Sequence, residues 1–300
     1  MTRRSSPLPT QGARGGVRVR TVEVNAAGLR LSGLLAVPPA SPPKAVIVAL
    51  HGAGMSAGYF HSQADPAASL LSLAAARGYA ALALDRPGYG VSVTELPDGL
   101  ELDEQAGRIR HALTDYRGRH PAGAGFFIVG HSLGGKLALT VAAGWSGDAL
   151  LGVDVSGISD RWAVDPAVHR DMNDRRTRPL SWGPLRLYPP GTFRHAMELA
   201  APIPLRELAE IPHWPHRYPD VARRVRVPVR FTFAEYERWW RCDPQTVEAM
   251  TARLAAPLVR TERLAEAGHN ISLGYAARDY HLGVLTFVEE CLGRSETGKG

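Results

Sequence analysis

The sequence predicts an α/β protein whose mostly parallel, twisted sheet carries helices on both faces. Short, fully apolar runs alternate with helical patterns along most of the 300 residues, which is typical of right-handed βαβ units. A stretch rich in proline, tryptophan and arginine, at residues 157–226, interrupts this alternation once. Hydrophobic residues make up 45% of the chain and charged residues 21%, so the chain is expected to bury a large globular core.

The first half of the chain contains five predicted strands. They lie at residues 17–24, 29–37, 45–50, 79–84 and 126–129. The first two are expected to pair antiparallel through a turn at 25–28, whereas the other three are wholly apolar, as buried parallel strands are. Asp65 before Pro66 predicts the start of a helix that runs to Arg77, and a second helix is predicted at 102–117.

The second half of the chain returns to the same alternation after its interruption. Strands are predicted at residues 150–155, 228–233 and 258–264. The helix that follows the fifth strand is predicted to end near residue 144, another helix to begin at 243–244, and the last helix to cover 273–292. The segment between the sixth and seventh core strands is interpreted as an inserted lid. The predicted organisation is a disordered basic tail (1–16), a core (17–156 and 227–293), a lid (157–226) and a second tail (294–300).

Composition excludes several classes of protein. The net charge of +6 indicates solubility or an anionic partner, and the sequence shows no zinc-finger spacing or long basic helix for nucleic acid. No apolar run is long enough to span a bilayer, and the first 17 residues lack the apolar stretch of a secretory signal. Two cysteines, Cys242 and Cys291, form no disulfide framework, so a cytoplasmic location is expected.

The most informative motif is a G-x-S-x-G sequence at 130–134, where an apolar strand turns directly into an apolar helix. This context is the one that a nucleophile elbow requires. Gly130 and Gly134 allow the strand and the helix to approach closely, so that Ser132 stands at the carboxyl end of the strand. The amide of Leu133 is then directed at the position of a developing oxyanion.

Four motifs together resemble the α/β-hydrolase superfamily. They are His51-Gly52 after the third strand, residues 85–92 after the fourth, 130–135 after the fifth and 268–270 after the eighth. The resemblance covers about residues 17–292 without the lid. It implies the α/β-hydrolase fold and a serine hydrolase that cleaves an ester or thioester through an acyl-enzyme. The superfamily implies the chain order nucleophile, acid, histidine, which this sequence follows.

His269 is the predicted base, because it follows the last strand at the edge of the sheet where the nucleophile also lies. His281 is interpreted as a packing or surface residue, and the resemblance implies that His131 points away from the nucleophile. His213 and His216 lack a third ligand, so no metal site is predicted there. No cofactor is expected.

The acid remains open between four carboxylates. The resemblance implies an acid just after the seventh strand, where Ala234 stands in place of the usual glycine and glutamates in place of aspartate. Glu237 falls on the expected position and Glu235 is second. Some relatives place the acid after the sixth strand, which adds Asp154 and Asp160 as alternatives.

The remaining predicted site residues surround the nucleophile. The resemblance implies that the second oxyanion donor is the amide of Ala53, which joins the amide of Leu133. Loop and lid residues are expected to line the substrate pocket: Met55, Tyr59, Phe60, His61, Trp162, Trp182 and Trp239.

A cluster of arginines in the lid bears on the substrate. Arg170, Arg175, Arg176 and Arg178 form either a solvated, salt-bridged face or a site for an anionic group. The predicted partner is a small acyl ester or thioester. If the arginines bind an anionic group, the acyl group is expected to be carried on CoA or an acidic carrier protein. A lyase or cyclase and a ligand-binding protein without catalysis are the alternatives, and the sequence does not determine the oligomeric state.

Overall fold

Eight strands form a single sheet in the computed structural model, which describes residues 17–39, 42–165, 168 and 177–297. The strands are β1 (Val19–Ala26), β2 (Leu29–Ala36), β3 (Val46–Leu50), β4 (Ala80–Leu84), β5 (Phe126–His131), β6 (Leu150–Ser156), β7 (Val229–Tyr236) and β8 (Val259–Gly268). Their spatial order is β1-β2-β4-β3-β5-β6-β7-β8. β2 is antiparallel to β1 and β4, and the other neighbours are parallel. The predicted mostly parallel sheet is therefore confirmed.

The central strands are buried on both faces because their side chains alternate between two hydrophobic clusters. In β3, Val46 and Val48 belong to one cluster, and Ile47 and Ala49 belong to the other. β5 repeats this alternation. A strand covered on both faces has no polar side, which explains why these strands appear in the sequence as continuous apolar runs.

Helices cover both faces of the sheet, as predicted. They are α1 (Leu70–Ala76), α2 (Leu102–Arg119), α3 (Leu133–Ala143), α4 (Arg178–Trp182), α5 (Thr192–Leu199), α6 (Leu205–Glu210), α7 (Trp214–Ala222), α8 (Pro244–Thr251) and α9 (Ala277–Thr297). α2, α3 and α7 supply the cluster that contains Val46, whereas α1 and α9 supply the cluster that contains Ile47.

The chain between β6 and β7 contains α4 to α7, and the last of these helices packs on the sheet. Trp214 and Tyr218, one turn apart on α7, are fully buried in the cluster that α3 also lines. The indole N–H of Trp214 donates to the carbonyl of Ser159 at 3.1 Å. The predicted lid segment at 157–226 thus includes a helix of the core layer, whose pattern Pro219 obscures in the sequence.

Several predicted helix and strand boundaries differ from the structure. The helix expected from Asp65 to Arg77 is a short 3-10 turn at Pro66–Ala68 followed by α1, because Ser69 has an extended ψ of 119° and itself caps α1 through Ser72 N–H. β7 continues to Tyr236 and β8 to Gly268. α9 starts at Ala277 rather than 273 and continues to Thr297, so the predicted disordered tail at 294–300 is wrong as far as residue 297. Within the described ranges, no helix combines the length and the apolar character needed to cross a membrane.

Candidate active site

Ser132 lies at a sharp turn between β5 and α3. Its φ of 52° and ψ of −119° place a non-glycine residue at positive φ, a conformation that costs backbone strain. Two backbone hydrogen bonds hold this conformation: Ser132 N–H donates to the Ser156 carbonyl at 2.8 Å, and Gly135 N–H donates to the Ser132 carbonyl at 2.9 Å. The turn directs the serine hydroxyl into a cavity at the carboxyl edge of the sheet.

The two glycines of the motif are required by close backbone contacts. A Cβ on Gly134 would lie 2.0 Å from the carbonyl oxygen of Leu50, and a Cβ on Gly130 would lie 2.3 Å from the carbonyl oxygen of Gly134. Since neither neighbour is a flexible side chain, α3 packs against β3 and β5 at this distance only without side chains at these positions.

His269 connects Ser132 to a glutamate. Its Nε2 lies 3.2 Å from Ser132 Oγ, and its Nδ1 lies 2.7 Å from Glu237 Oε2. The other carboxylate oxygen, Glu237 Oε1, accepts the backbone N–H groups of Arg238 at 3.0 Å and Trp239 at 2.9 Å. Only 8% of the His269 side chain and 2% of the Glu237 side chain are exposed, so water competes little for these bonds. The arrangement allows the imidazole to accept the hydroxyl proton of the serine.

The other three candidate acids lie elsewhere. Glu235 is exposed and accepts the backbone N–H of Glu266 at 2.8 Å. Asp154 is fully buried, where it binds Arg230 at 2.6 Å, and burial raises its pKa. Asp160 contacts Arg253 at 3.9 Å. Of the four carboxylates that the sequence left open, the structure brings Glu237 to His269.

The residues expected to bind an oxyanion lie beside Ser132. Leu133 opens α3, and an amide in the first turn of a helix has no partner within that helix. Ala53 and Leu133 line the same cavity as Ser132. The loop that carries Ala53 is fixed on both sides: the Gly52 carbonyl accepts the Arg86 guanidinium at 3.3 Å, and Gly54 N–H donates to the Tyr89 hydroxyl at 3.3 Å.

A cavity of about 390 Å³ opens onto these residues. Of the predicted pocket residues, Met55, Trp162, Trp182 and Trp239 line it. Trp240, which follows Trp239 in the loop after β7, lines it as well. Further lining residues without a pocket prediction from the sequence are Gly52, Gly54, His131, Ser181, Ala200, Ala201, Pro202, Ile203, Leu208 and Asn270. The segment at 200–203 carries no local signal for this role, because only the path of the chain after α5 brings it to the cavity.

Three predicted pocket residues are placed differently. Tyr59 and Phe60 are fully buried beneath the loop, and the Tyr59 ring stacks on His131 with 4.8 Å between ring centres. His61 Nδ1 lies 2.7 Å from the Ser69 hydroxyl, away from the cavity. Tyr59 and Phe60 therefore pack in the core, whereas Met55 of the same loop lines the cavity, and the sequence pattern does not distinguish the two uses.

His131 and His281 are also buried. The resemblance implies that His131 points away from the nucleophile; in the structure this residue is part of the cavity lining, and its ring centre lies 4.9 Å from that of His269. Burial lowers the pKa of His131 well below its usual value, and the neighbouring His269 lowers it further. His281 packs in the core against the Ala68 carbonyl at 2.6 Å, and burial lowers its pKa to about 4.

The predicted arginine cluster is described only at its end. Arg178 begins α4 and is exposed, whereas Arg170, Arg175 and Arg176 lie outside the described residues. Among the residues that the structure describes, no three histidine, cysteine or acidic side chains meet in a group suited to a metal ion.

The sequence matches the family model described as the alpha/beta hydrolase family over residues 47–279. This match covers most of the chain, so the protein belongs to the alpha/beta hydrolase family. A search of curated protein sequences finds no match.

Solved structures of similar fold include several esterases. A thermostable carboxyl esterase from Bacillus coagulans aligns with a TM-score of 0.67 and 17% identity, covering 93% of this chain and 99% of its own. A thermophilic esterase from Thermogutta terrifontis aligns with a TM-score of 0.63 and 16% identity, covering 91% and 99%. An esterase domain from Rhodothermus marinus aligns with a TM-score of 0.58 and 19% identity, covering 91% and 98%. At these identities the likeness shows a shared fold.

Proposed function

We propose that this protein is a serine hydrolase that cleaves a carboxylic ester or thioester through an acyl-enzyme at Ser132. The observation that carries the proposal is the hydrogen-bonded series from Ser132 through His269 to Glu237 at the wall of a cavity. Such a series activates a hydroxyl group that is a weak nucleophile on its own. The esterases of similar fold support the choice of an ester as substrate.

In the first half of the reaction, Ser132 Oγ attacks the acyl carbon while His269 Nε2 takes the hydroxyl proton. The bond to the leaving alcohol or thiol then breaks, and His269 returns the proton to the leaving group. In the second half, His269 takes a proton from water, whose oxygen attacks the acyl-enzyme. The carboxylic acid leaves, and the proton returns to Ser132 Oγ.

Glu237 acts through the imidazole. A carboxylate only accepts hydrogen bonds, so its contact at 2.7 Å assigns the hydrogen of the neutral ring to His269 Nδ1 and leaves Nε2 free to accept. The two backbone N–H groups on Oε1 keep the carboxylate in place when the imidazolium forms. The amides of Leu133 and Ala53 are the proposed donors to the oxyanion of each tetrahedral intermediate.

The thioester alternative depends on arginines of the predicted lid segment. If Arg175, Arg176 and Arg178 receive the anionic part of CoA or a carrier protein, acyl-CoA has a higher kcat/KM than a neutral ester of the same acyl chain. Added salt then reduces this advantage, because exposed charges are screened over about 8–10 Å at 0.1–0.15 M ionic strength. If the ratio of the two kcat/KM values does not change with salt, or if the neutral ester has the higher kcat/KM, the protein is better described as a carboxylesterase.

Labelling with a fluorophosphonate tests the proposal directly. The probe is expected to modify wild-type protein at Ser132, and Ser132→Ala is expected to abolish the modification. Hydrolysis of an ester in heavy-oxygen water is expected to place the label in the acid product, which a lyase or cyclase reaction does not do. Folded wild-type protein that neither reacts with the probe nor turns over an ester contradicts the proposal.

The role of Glu237 has a matched control in Glu235. Glu237→Gln is expected to lower kcat by about 10⁴-fold, because the neutral amide neither fixes the tautomer nor stabilises the imidazolium. Glu235→Gln, whose side chain contacts the Glu266 backbone instead, is expected to change kcat by less than about threefold. Steady-state rates for one ester decide between them, and the opposite order moves the acid to Glu235.

A further inference from the structure

Four of the six tryptophans of the chain line the candidate active-site cavity. Trp162 comes from the chain after β6, Trp182 from α4, and Trp239 and Trp240 from the loop after β7. Apolar side chains from three further segments complete the wall: Met55, Leu133, Ile203 and Leu208. Indole rings from three separate parts of the chain thus converge on the space in front of Ser132.

The described part of the cavity wall offers no charged side chain to an ionised substrate group. Among the described residues that line it, none is an aspartate, glutamate, lysine or arginine. Two polar side chains of the lining have protein partners: Ser181 Oγ accepts the Trp239 indole N–H at 3.2 Å, and Asn270 Nδ2 donates to the Ser181 carbonyl at 3.2 Å. An ionised group placed here would lose its hydration without gaining a counter-charge from the described lining residues.

The tryptophan wall is held in place by the backbone behind it. Trp162 and Trp240 stack with 3.5 Å between ring centres and pair as an isolated β-bridge. Ala163 N–H donates to the Trp239 carbonyl at 2.9 Å beside this bridge. Trp182 packs edge-on against Phe193, with ring centres 4.9 Å apart. Rigid aromatic surfaces favour flat apolar groups, because stacking adds to burial without ordering flexible side chains.

We propose that the cavity selects uncharged esters that carry an aromatic ring. This inference rests on the proposed function and names the substrate class for it. The cavity volume of about 390 Å³ lies within the range for small-molecule sites and holds one ring together with the ester group. Recognition comes from the indole faces and edges, and ionised esters are disfavoured because no charged side chain is found among the described residues of the wall.

Rates of ester hydrolysis measured in a pH-stat test the two parts of this inference. Methyl 4-methylphenylacetate is expected to exceed methyl 4-carboxyphenylacetate, an anion of similar shape, by at least about 100-fold in kcat/KM. Methyl phenylacetate is expected to exceed methyl hexanoate by about 3- to 10-fold. Benzyl acetate, with its ring on the alcohol, shows whether the ring binds on the acyl side or the leaving-group side.

Variants test whether the tryptophans of the cavity cause the preference for aromatic esters. Trp240→Leu is expected to reduce the ratio of methyl phenylacetate to methyl hexanoate kcat/KM to about 1. This ratio does not depend on the folded fraction, because the same molecules hydrolyse both esters. Trp145→Ala is the control, since Trp145 packs on Phe126 outside the cavity, and its ratio is expected to match that of wild type.

The outcomes separate this inference from the function on which it rests. Absence of fluorophosphonate labelling and of all ester turnover overturns the proposed function. Labelling at Ser132 with equal rates for the anionic and neutral esters, or with an unchanged ratio in Trp240→Leu, overturns the aromatic selectivity alone. Faster hydrolysis of methyl hexanoate than of methyl phenylacetate also overturns it.

Discussion

Lys136 provides a quantitative test of the buried surroundings of the site. It lies on α3, four residues after Ser132, with only 3% of its surface exposed. Its Nζ donates to the Ile211 carbonyl at 3.3 Å and lies 5.0 Å from the ring centres of Trp162 and Trp240. Burial lowers the pKa of Lys136 to about 7, although nearby glutamates oppose the shift.

This shift makes the free energy of unfolding depend on pH. A lysine has a pKa of about 10.4 in an unfolded chain, so between about pH 7 and 10.4 the unfolded state binds more protons at Lys136. The free energy of unfolding therefore rises with pH across that window. At about 1.36 kcal/mol per pKa unit, the cost of Lys136 to folding is about 5 kcal/mol at pH 6 and falls to about 1 kcal/mol at pH 10.

Lys136→Met removes this cost and also the hydrogen bond to the Ile211 carbonyl, whose loss costs about 1–3 kcal/mol at any pH. The variant is expected to be about 2–4 kcal/mol more stable than wild type at pH 6 and no more stable at pH 10. Urea denaturation at pH 6, 8 and 10 measures both proteins, and the other titrating groups cancel in their difference.

Lys44→Met is the matched control. Lys44 is exposed, so Lys44→Met removes a lysine from the surface, and its difference from wild type is compared with that of Lys136→Met at the same three pH values. A difference between Lys136→Met and wild type that stays constant from pH 6 to pH 10 refutes the reasoning, since it means that Lys136 titrates alike in the folded and unfolded states.

Three further predictions concern packing and the buried core. In wild type, Glu207 contacts the buried Arg86 guanidinium at 2.5 and 2.8 Å, and Glu207→Gln removes this charged partner. The variant is expected to lower the free energy of unfolding, measured by urea denaturation, by about 3–5 kcal/mol. A loss below about 1 kcal/mol contradicts this. Gly134→Ala is expected to lower the free energy of unfolding by more than about 3 kcal/mol and to slow fluorophosphonate labelling, because the new Cβ meets the Leu50 carbonyl. A labelling rate equal to that of wild type would show that α3 shifts to make room for the Cβ. Burial raises the pKa of Cys291 to about 12, so iodoacetamide at pH 8 is expected to modify this thiol in urea and to leave it intact in the native protein, as mass spectrometry can verify.

Most of the fold follows from local patterns in the sequence. β3 and β5 are recognisable because strands covered on both faces have no polar residues, and the two glycines around Ser132 are required by backbone contacts of their own turn. α7 was less visible, because Pro219 breaks the helical pattern although Trp214 and Tyr218 pack in the core.

The sequence ranks Glu237 before Glu235 without excluding the second, and the tertiary structure decides between them. The register of β7 and β8 shifts between Ala234 and Tyr236, a bulge that turns the following residues relative to the sheet. Beyond this bulge, Glu237 N–H donates to the Ala234 carbonyl at 3.1 Å and the carboxylate meets His269, whereas Glu235 remains exposed. The position after the seventh strand ranks the two glutamates, and the bulge decides which of them reaches His269.

The sequence by itself determined the sheet, the turn at Ser132 and the identity of His269 as the histidine that follows the last strand. Only the tertiary structure decided which residues line the cavity. Residues 200–203 and Trp240 lie there because the chain after β6 folds back over the loop after β7, while Tyr59 and Phe60 turn into the core. Apolar residues are required in both places, so their type predicts burial, and only the path of the chain decides whether a core or a pocket buries them.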